Sequence, residues 1–108
     1  MAKPQQEVYF VFMNFDPVYE RLRADRSKQG SATLDAYLSQ KHDKLLAKLL
    51  QPDTYWKKSS LAIVDGFAVE ITDAQAYMND SAIYILMQAS VLRSAKEVRV
   101  VEKNQELA

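Results

Sequence analysis

The run Val8-Tyr9-Phe10-Val11-Phe12-Met13 is apolar at every position and is made of β-branched, aromatic and Met side chains. It is too short for a core helix and its composition suits a pleated backbone, so it is expected to be a strand. Its odd and even positions are equally apolar, so it is expected to be central and buried on both faces. Such a strand needs partners along both edges to satisfy its backbone and a layer of helices to cover it.

The rest of the chain supplies those parts. From Thr33 the residues Leu34, Tyr37, Leu38, Leu45, Leu46, Leu49 and Leu50 recur at three- and four-residue spacing, the stripe of an amphipathic helix laid on a sheet. Ser31 or Thr33 is its expected cap and Pro52 its stop. The stretch 14–32 mixes Asp16-Pro17 with Arg21, Arg23, Arg26 and Lys28, and is expected to be a solvated connection with room for one short helical turn. After the loop 51–54, the stretch from Tyr55 to Val64 becomes strand-like toward its end, and Asp65-Gly66 is a hairpin signal in which glycine takes the positive φ. In Phe67-Ala68-Val69-Glu70-Ile71 the alternation turns Phe67, Val69 and Ile71 toward the helices and Ala68 and Glu70 outward. Thr72-Asp73-Ala74-Gln75 has capping-box spacing and starts a second helix through Ala76, Met78, Ile83, Leu86, Met87 and Leu92 to near Lys96. That helix is long, and Asn79-Asp80-Ser81 would interrupt it. Val98-Arg99-Val100-Val101 is a last short strand before a polar tail.

Strand, helix, hairpin, helix, strand is the split β-α-β pattern, so the expected fold is α+β and ferredoxin-like: β-α-β-β-α-β, an antiparallel sheet with two helices on one face, the second extended or interrupted. With 108 residues the chain has room for a single domain, 1–108, and its two glycines argue against a turn-rich β-sandwich. Fourteen basic residues balance fourteen acidic ones, which leaves no net basic field for nucleic acid or an anionic membrane, and neither is an expected partner. The opening Met1-Ala2-Lys3-Pro4-Gln5-Gln6-Glu7 lacks the apolar stretch of a signal peptide, so a cytoplasmic location is expected if the sequence is full-length. The run from Ala82 to Met87 is too short to span a bilayer.

Residues that carry chemistry are sparse. His42 is the only histidine, and its expected place is a solvated or interface position on the helix flank, beside Ser39 and Asp43. Metal ligation by His42 with Asp43 fails on direction, since neighbouring helical side chains diverge by about 100°. There is no cysteine, no glycine-rich phosphate loop and no nucleophile elbow, so no catalysis, metal or cofactor is expected. Tyr77, Met78, Tyr84, Ile85 and Met87 belong at helical spacing to the core; left exposed, they would form an adaptable contact face.

At the hairpin, Val64-Asp65-Gly66-Phe67-Ala68-Val69-Glu70-Ile71-Thr72 resembles the "NGFAV..T" segment of plant subtilase propeptides, with Asp65 in place of the usual asparagine. Lys41-His42-Asp43-Lys44-Leu45-Leu46 is similar to their "SHD.LL" helix, the opening strand to "VYIVLM", and Val98-Arg99-Val100-Val101-Glu102 to "V.LVE". Four blocks in order cover most of the chain. The segment 77–89, bounded by Tyr77 and Ala89, has no counterpart in those propeptides and stands as an insertion in the second helix; Glu97 stands where they often have glycine.

The resemblance implies a non-catalytic domain that inhibits a subtilisin-like serine protease or chaperones its folding. The sheet face would pack on the protease and the tail would enter the active-site cleft as product does. The protease-binding residues it implies are Ala68, Glu70, Arg99 and Glu102 on the sheet, with Ala68 and Arg99 as exposed side chains, and Glu106, Leu107 and Ala108 in the tail. Members of that family are secretory, extracellular or vacuolar. The alternative is a ferredoxin-like interaction domain that has lost inhibition and self-associates, as a homodimer, through 77–89.

Overall fold

The computed structural model describes residues 6–72 and 88–104. Within them the chain forms β1 (Gln6–Met13), α1 (Pro17–Arg23), α2 (Lys28–Leu49), β2 (Trp56–Leu61), β3 (Gly66–Thr72), α3 (Gln88–Ser94) and β4 (Val98–Lys103). The strands make one antiparallel sheet of order β2-β3-β1-β4. The fold is α+β, and this order is consistent with the ferredoxin-like arrangement expected. Among the described residues no helix is long and apolar enough to cross a membrane.

β1 is central, as its sequence demands: Tyr9 faces Val69 on one side and Lys103 on the other, and Val11 faces Phe67 and Val101. Directly opposed residues share a face of the sheet. The inner face carries Tyr9, Val11, Phe67, Val69, Ile71 and Val101, which form one core with Leu45, Leu46 and Leu50 of α2 and Ala89 and Leu92 of α3. Phe67, Val69 and Ile71 are fully buried, as the alternation requires. Burial of β1 on both faces does not hold. Val8, Phe10 and Phe12 are only half-buried, because the described helices pack on the inner face alone.

The stretch 14–32 is not a solvated connection throughout. Asp16 caps α1, its Oδ1 accepting from the Val18 N–H at 2.9 Å, and Pro17 fills the first helical position, where a missing N–H costs nothing. Buried Tyr19 then joins Leu34 and Leu38 of α2 in a second apolar cluster, which is why this segment folds back. α2 starts earlier than its stripe suggests. Ser27, not Ser31 or Thr33, is the cap, its Oγ accepting from the Gly30 N–H at 3.0 Å, while Asp25 accepts from the Ser27 N–H at 3.0 Å.

Gly30 closes this corner. A Cβ there would lie 2.3 Å from Asp25 Cγ and 2.5 Å from the Asp25 carbonyl oxygen. In an open helix Gly→Ala gains about 1 kcal/mol; Gly30→Ala is expected instead to lose about 1–3 kcal/mol to overpacking. A urea midpoint at or above the parent's would show that the α1–α2 corner yields.

The hairpin also departs from expectation. β2 ends at Leu61, which pairs with Gly66, so the turn is the four residues 62–65 and the strand lies in the first part of 55–64, not the last. The left-handed residue is Asp65, at φ 46°, and no glycine has positive φ. Gly66 is needed for close approach, since a Cβ there would stand 2.7 Å from the Val11 carbonyl oxygen on the central strand.

Both sheet edges are modified. β2 is irregular between Lys57 and Ser59. On β4, the Asn104 N–H bonds to Val8 and Glu102 faces Phe10, so the alternate residue Val101 turns its carbonyl away from β1. Arg93 of α3 donates to that carbonyl at 3.3 Å.

The start of the second helix, the capping box and the residues Ala76, Tyr77, Met78, Ile83, Tyr84, Ile85, Leu86 and Met87 lie outside the described residues. The last two residues of 77–89 are described and are integral to the fold. Ala89 is in the core, and the buried Gln88 donates from Nε2 to the Thr54 carbonyl at 3.1 Å and to Thr54 Oγ1 at 2.8 Å. α3 ends at Ser94, close to the Lys96 expected.

Candidate protein-binding face and buried histidine cluster

The face of the sheet opposite the helices follows from the register. Phe10 stands between Ala68 and Glu102, Val8 opposite Glu70, Glu70 opposite Trp56, and Phe12 opposite Val100. Val8, Phe10, Phe12 and Val100 are half-buried and Trp56 is 49% exposed. The result is an apolar surface in which Glu70 stands between Trp56 and Val8 and Glu102 lies beside Phe10 on the β4 edge. Glu70 meets Lys58 at 3.1 Å, while Glu102 is exposed.

Of the residues the sequence singled out, Ala68, Glu70 and Glu102 share this face. Ala68 is not the exposed side chain expected. It is 6% exposed, because a methyl group between Phe10 and Ser59 does not reach past its neighbours. Arg99 is exposed and falls where the β1–β4 register shifts: Phe12 opposes Val100 and Met13 opposes Val98, leaving Arg99 as the extra residue of a bulge. Glu106, Leu107 and Ala108 lie outside the described residues.

His42 contradicts its expectation most sharply. It has no exposed surface, stacks beside Phe67 with ring centroids 4.8 Å apart, and uses both ring nitrogens. Nε2 lies 3.0 Å from Asp65 Oδ1 and Nδ1 lies 2.8 Å from Ser60 Oγ. The carboxylate only accepts, so Nε2 donates to it, and a neutral ring accepts the Ser60 hydroxyl at Nδ1. The reason for burial is positional: His42 is four residues after Leu38 and four before Leu46, in the middle of the apolar stripe.

The cluster continues outward. Lys41 bridges Asp65 at 2.6 Å and Asp16 at 2.8 Å, and Tyr37 Oη donates to Asp16 at 2.6 Å. Lys57, on β2, meets Asp43 at 2.6 Å and donates to Ser39 Oγ at 3.2 Å. Among the described residues every buried side-chain polar atom has a partner. Ser60, His42 and Asp65 thus stand in line, and the second oxygen of Asp65 is held by Lys41. The arrangement locks α1, α2 and the hairpin together.

Burial alone would raise the Asp16 carboxyl, but hydrogen bonds from Lys41, Tyr37 and the Val18 N–H outweigh it and hold it at about 2, below its ordinary 3.8. Burial first, then the hydrogen bond to Asp16, pushes the Tyr37 phenol up to about 12. Because the folded value of Asp16 is depressed, its contribution is present above its ordinary value and lost as pH falls through about 2. It should amount to about 2 kcal/mol. Urea midpoints at pH 6, 4 and 2.5 should fall more steeply for the parent than for Asp16→Asn; parallel loss would sink this assignment.

Comparison of the chain with protein-family models, curated proteins and solved structures found no match in any of the three.

Proposed function

We propose that this chain is a non-catalytic, propeptide-like module that binds a subtilisin-type serine protease through the open sheet face and inhibits it or assists its folding. The observation that carries the reading is the apolar surface of Val8, Phe10, Phe12, Trp56 and Val100, uncovered by the described helices, with Glu70 between Trp56 and Val8 and Glu102 at the β4 edge. A face of that kind favours a partner that buries it, and its two carboxylates favour helix N-termini on that partner. In this reading Arg99 lies at the rim and Glu106, Leu107 and Ala108 enter the cleft in extended form.

The test is inhibition and complex formation against a panel of plant subtilases, with the full chain and with residues 106–108 removed. Tight inhibition that weakens on removal supports both the face and the tail. Complex formation without inhibition keeps the face and discards the tail, and no complex with any member overturns the proposal.

The same uncovered strip supports a second reading, in which it covers itself with another copy of the chain. Sedimentation of the free protein separates them: a stable dimer that no protease dissociates favours self-association.

A further inference from the structure

Around α1 the acidic and basic side chains are used differently. Asp16 is held by Lys41 and Tyr37, Asp25 accepts from the Ser27 N–H, and Asp65 is held by Lys41 and His42. The side chains of Arg21, Arg26 and Lys28 make no hydrogen bond or ion pair among the described residues. Exposed Arg21, Arg23, Arg26 and Lys28 therefore outnumber the exposed carboxylates Glu20 and Asp25, and this end of the molecule presents an excess of positive charge to solvent.

Beside it runs a groove of about 810 Å³ between α1 and the β2–β3 turn, lined by Leu34, Ala62 and Ile63 and rimmed by Arg23, Arg26 and Glu20. Ile63 is 84% exposed, an unfavourable state for a large aliphatic side chain unless something covers it. The walls are fixed. Tyr19 Oη donates to the Ala62 carbonyl at 2.6 Å, and the Met13 N–H donates to the Asp65 carbonyl at 3.0 Å. A groove held this way needs little reordering to bind.

We propose that this groove binds an acidic segment of a partner protein, with an apolar side chain against Ile63 and Leu34 and flanking carboxylates on Arg23 and Arg26. The concave shape fits a chain segment better than a flat bilayer. The groove is on the helical side of the sheet, so a partner here and one on the open face bind independently of each other.

The test titrates the 15N-labelled full chain with the peptide DEDLFDED, with its reversed-charge counterpart KKKLFKKK, and with phosphatidylserine vesicles. The acidic peptide should shift the amides of Ala24, Ala62 and Ile63, and should bind more weakly as salt is raised. Arg26→Glu and Ile63→Asp, both at exposed positions and so without change in urea midpoint, should each weaken it about tenfold. Absence of shifts at those amides, equal binding of the reversed-charge peptide, shifts confined to the open face, or binding to vesicles alone would each overturn the proposal.

Discussion

Asp65→Ala is expected to cost about 4–5 kcal/mol and to leave the chain mostly unfolded at modest urea concentrations. Two effects add. The side chain is 5% exposed and pairs with Lys41 while fixing the buried His42, so its removal leaves Lys41 with Asp16 alone and strands a buried imidazole donor without its acceptor. Alanine must also take φ 46°, where a Cβ crowds the following carbonyl. Asp65→Asn separates the two, since asparagine tolerates the left-handed conformation and keeps an acceptor but loses the charge. It should cost about 1–2 kcal/mol. Equal losses in the two variants would mean that the backbone conformation is irrelevant, and a small loss in both would remove the cluster as a determinant of stability.

The second large effect is on binding. Phe10 is at the centre of the open face, between Ala68 and Glu102. Phe10→Lys should weaken the complex with a sensitive subtilase by about a hundredfold or more, because a desolvated ammonium replaces a central aromatic anchor. Lysine is chosen because the fold should tolerate it. Its stem covers part of the strand surface and its charge faces Glu102, so the urea midpoint should move by less than about 1 kcal/mol equivalent. A folded Phe10→Lys chain that inhibits as well as the parent would show that the open face is not the contact.

The regular elements were legible because their periodicities are local. The leucine stripe of α2 and the alternation of Phe67, Val69 and Ile71 predict the faces those residues bury. α1 also carried a signal, Asp16 before Pro17, but its reason to fold lies in Tyr19 meeting Leu34 and Leu38, a contact no short window contains. The histidine cluster was half legible. The spacing of Leu38, His42 and Leu46 places the ring on the buried stripe, whereas its partners Ser60 and Asp65 come from 18 and 23 residues away. Glycine beside Asp65 drew the positive φ to the wrong residue, since the close approach of Val11 that requires Gly66 is a tertiary fact. The open face misled in a different way. Phe10 and Phe12 are as apolar as Tyr9 and Val11, and a composition prepared for burial reads the same whether the cover is a second layer of helices or another molecule.

The treatment of the sheet edges bears on how the chain ages in solution. The outward carbonyl of Val101 is occupied by Arg93, and β2 offers an irregular ladder bearing Lys57 and Lys58. A foreign strand arriving at β4 must displace a guanidinium, and one arriving at β2 meets broken register and repelling charge, so neither side is a ready template for stacking into fibrils. A stock that clouds on storage should therefore do so by face-to-face contact of apolar strips, giving amorphous, dilution-reversible clusters without thioflavin fluorescence.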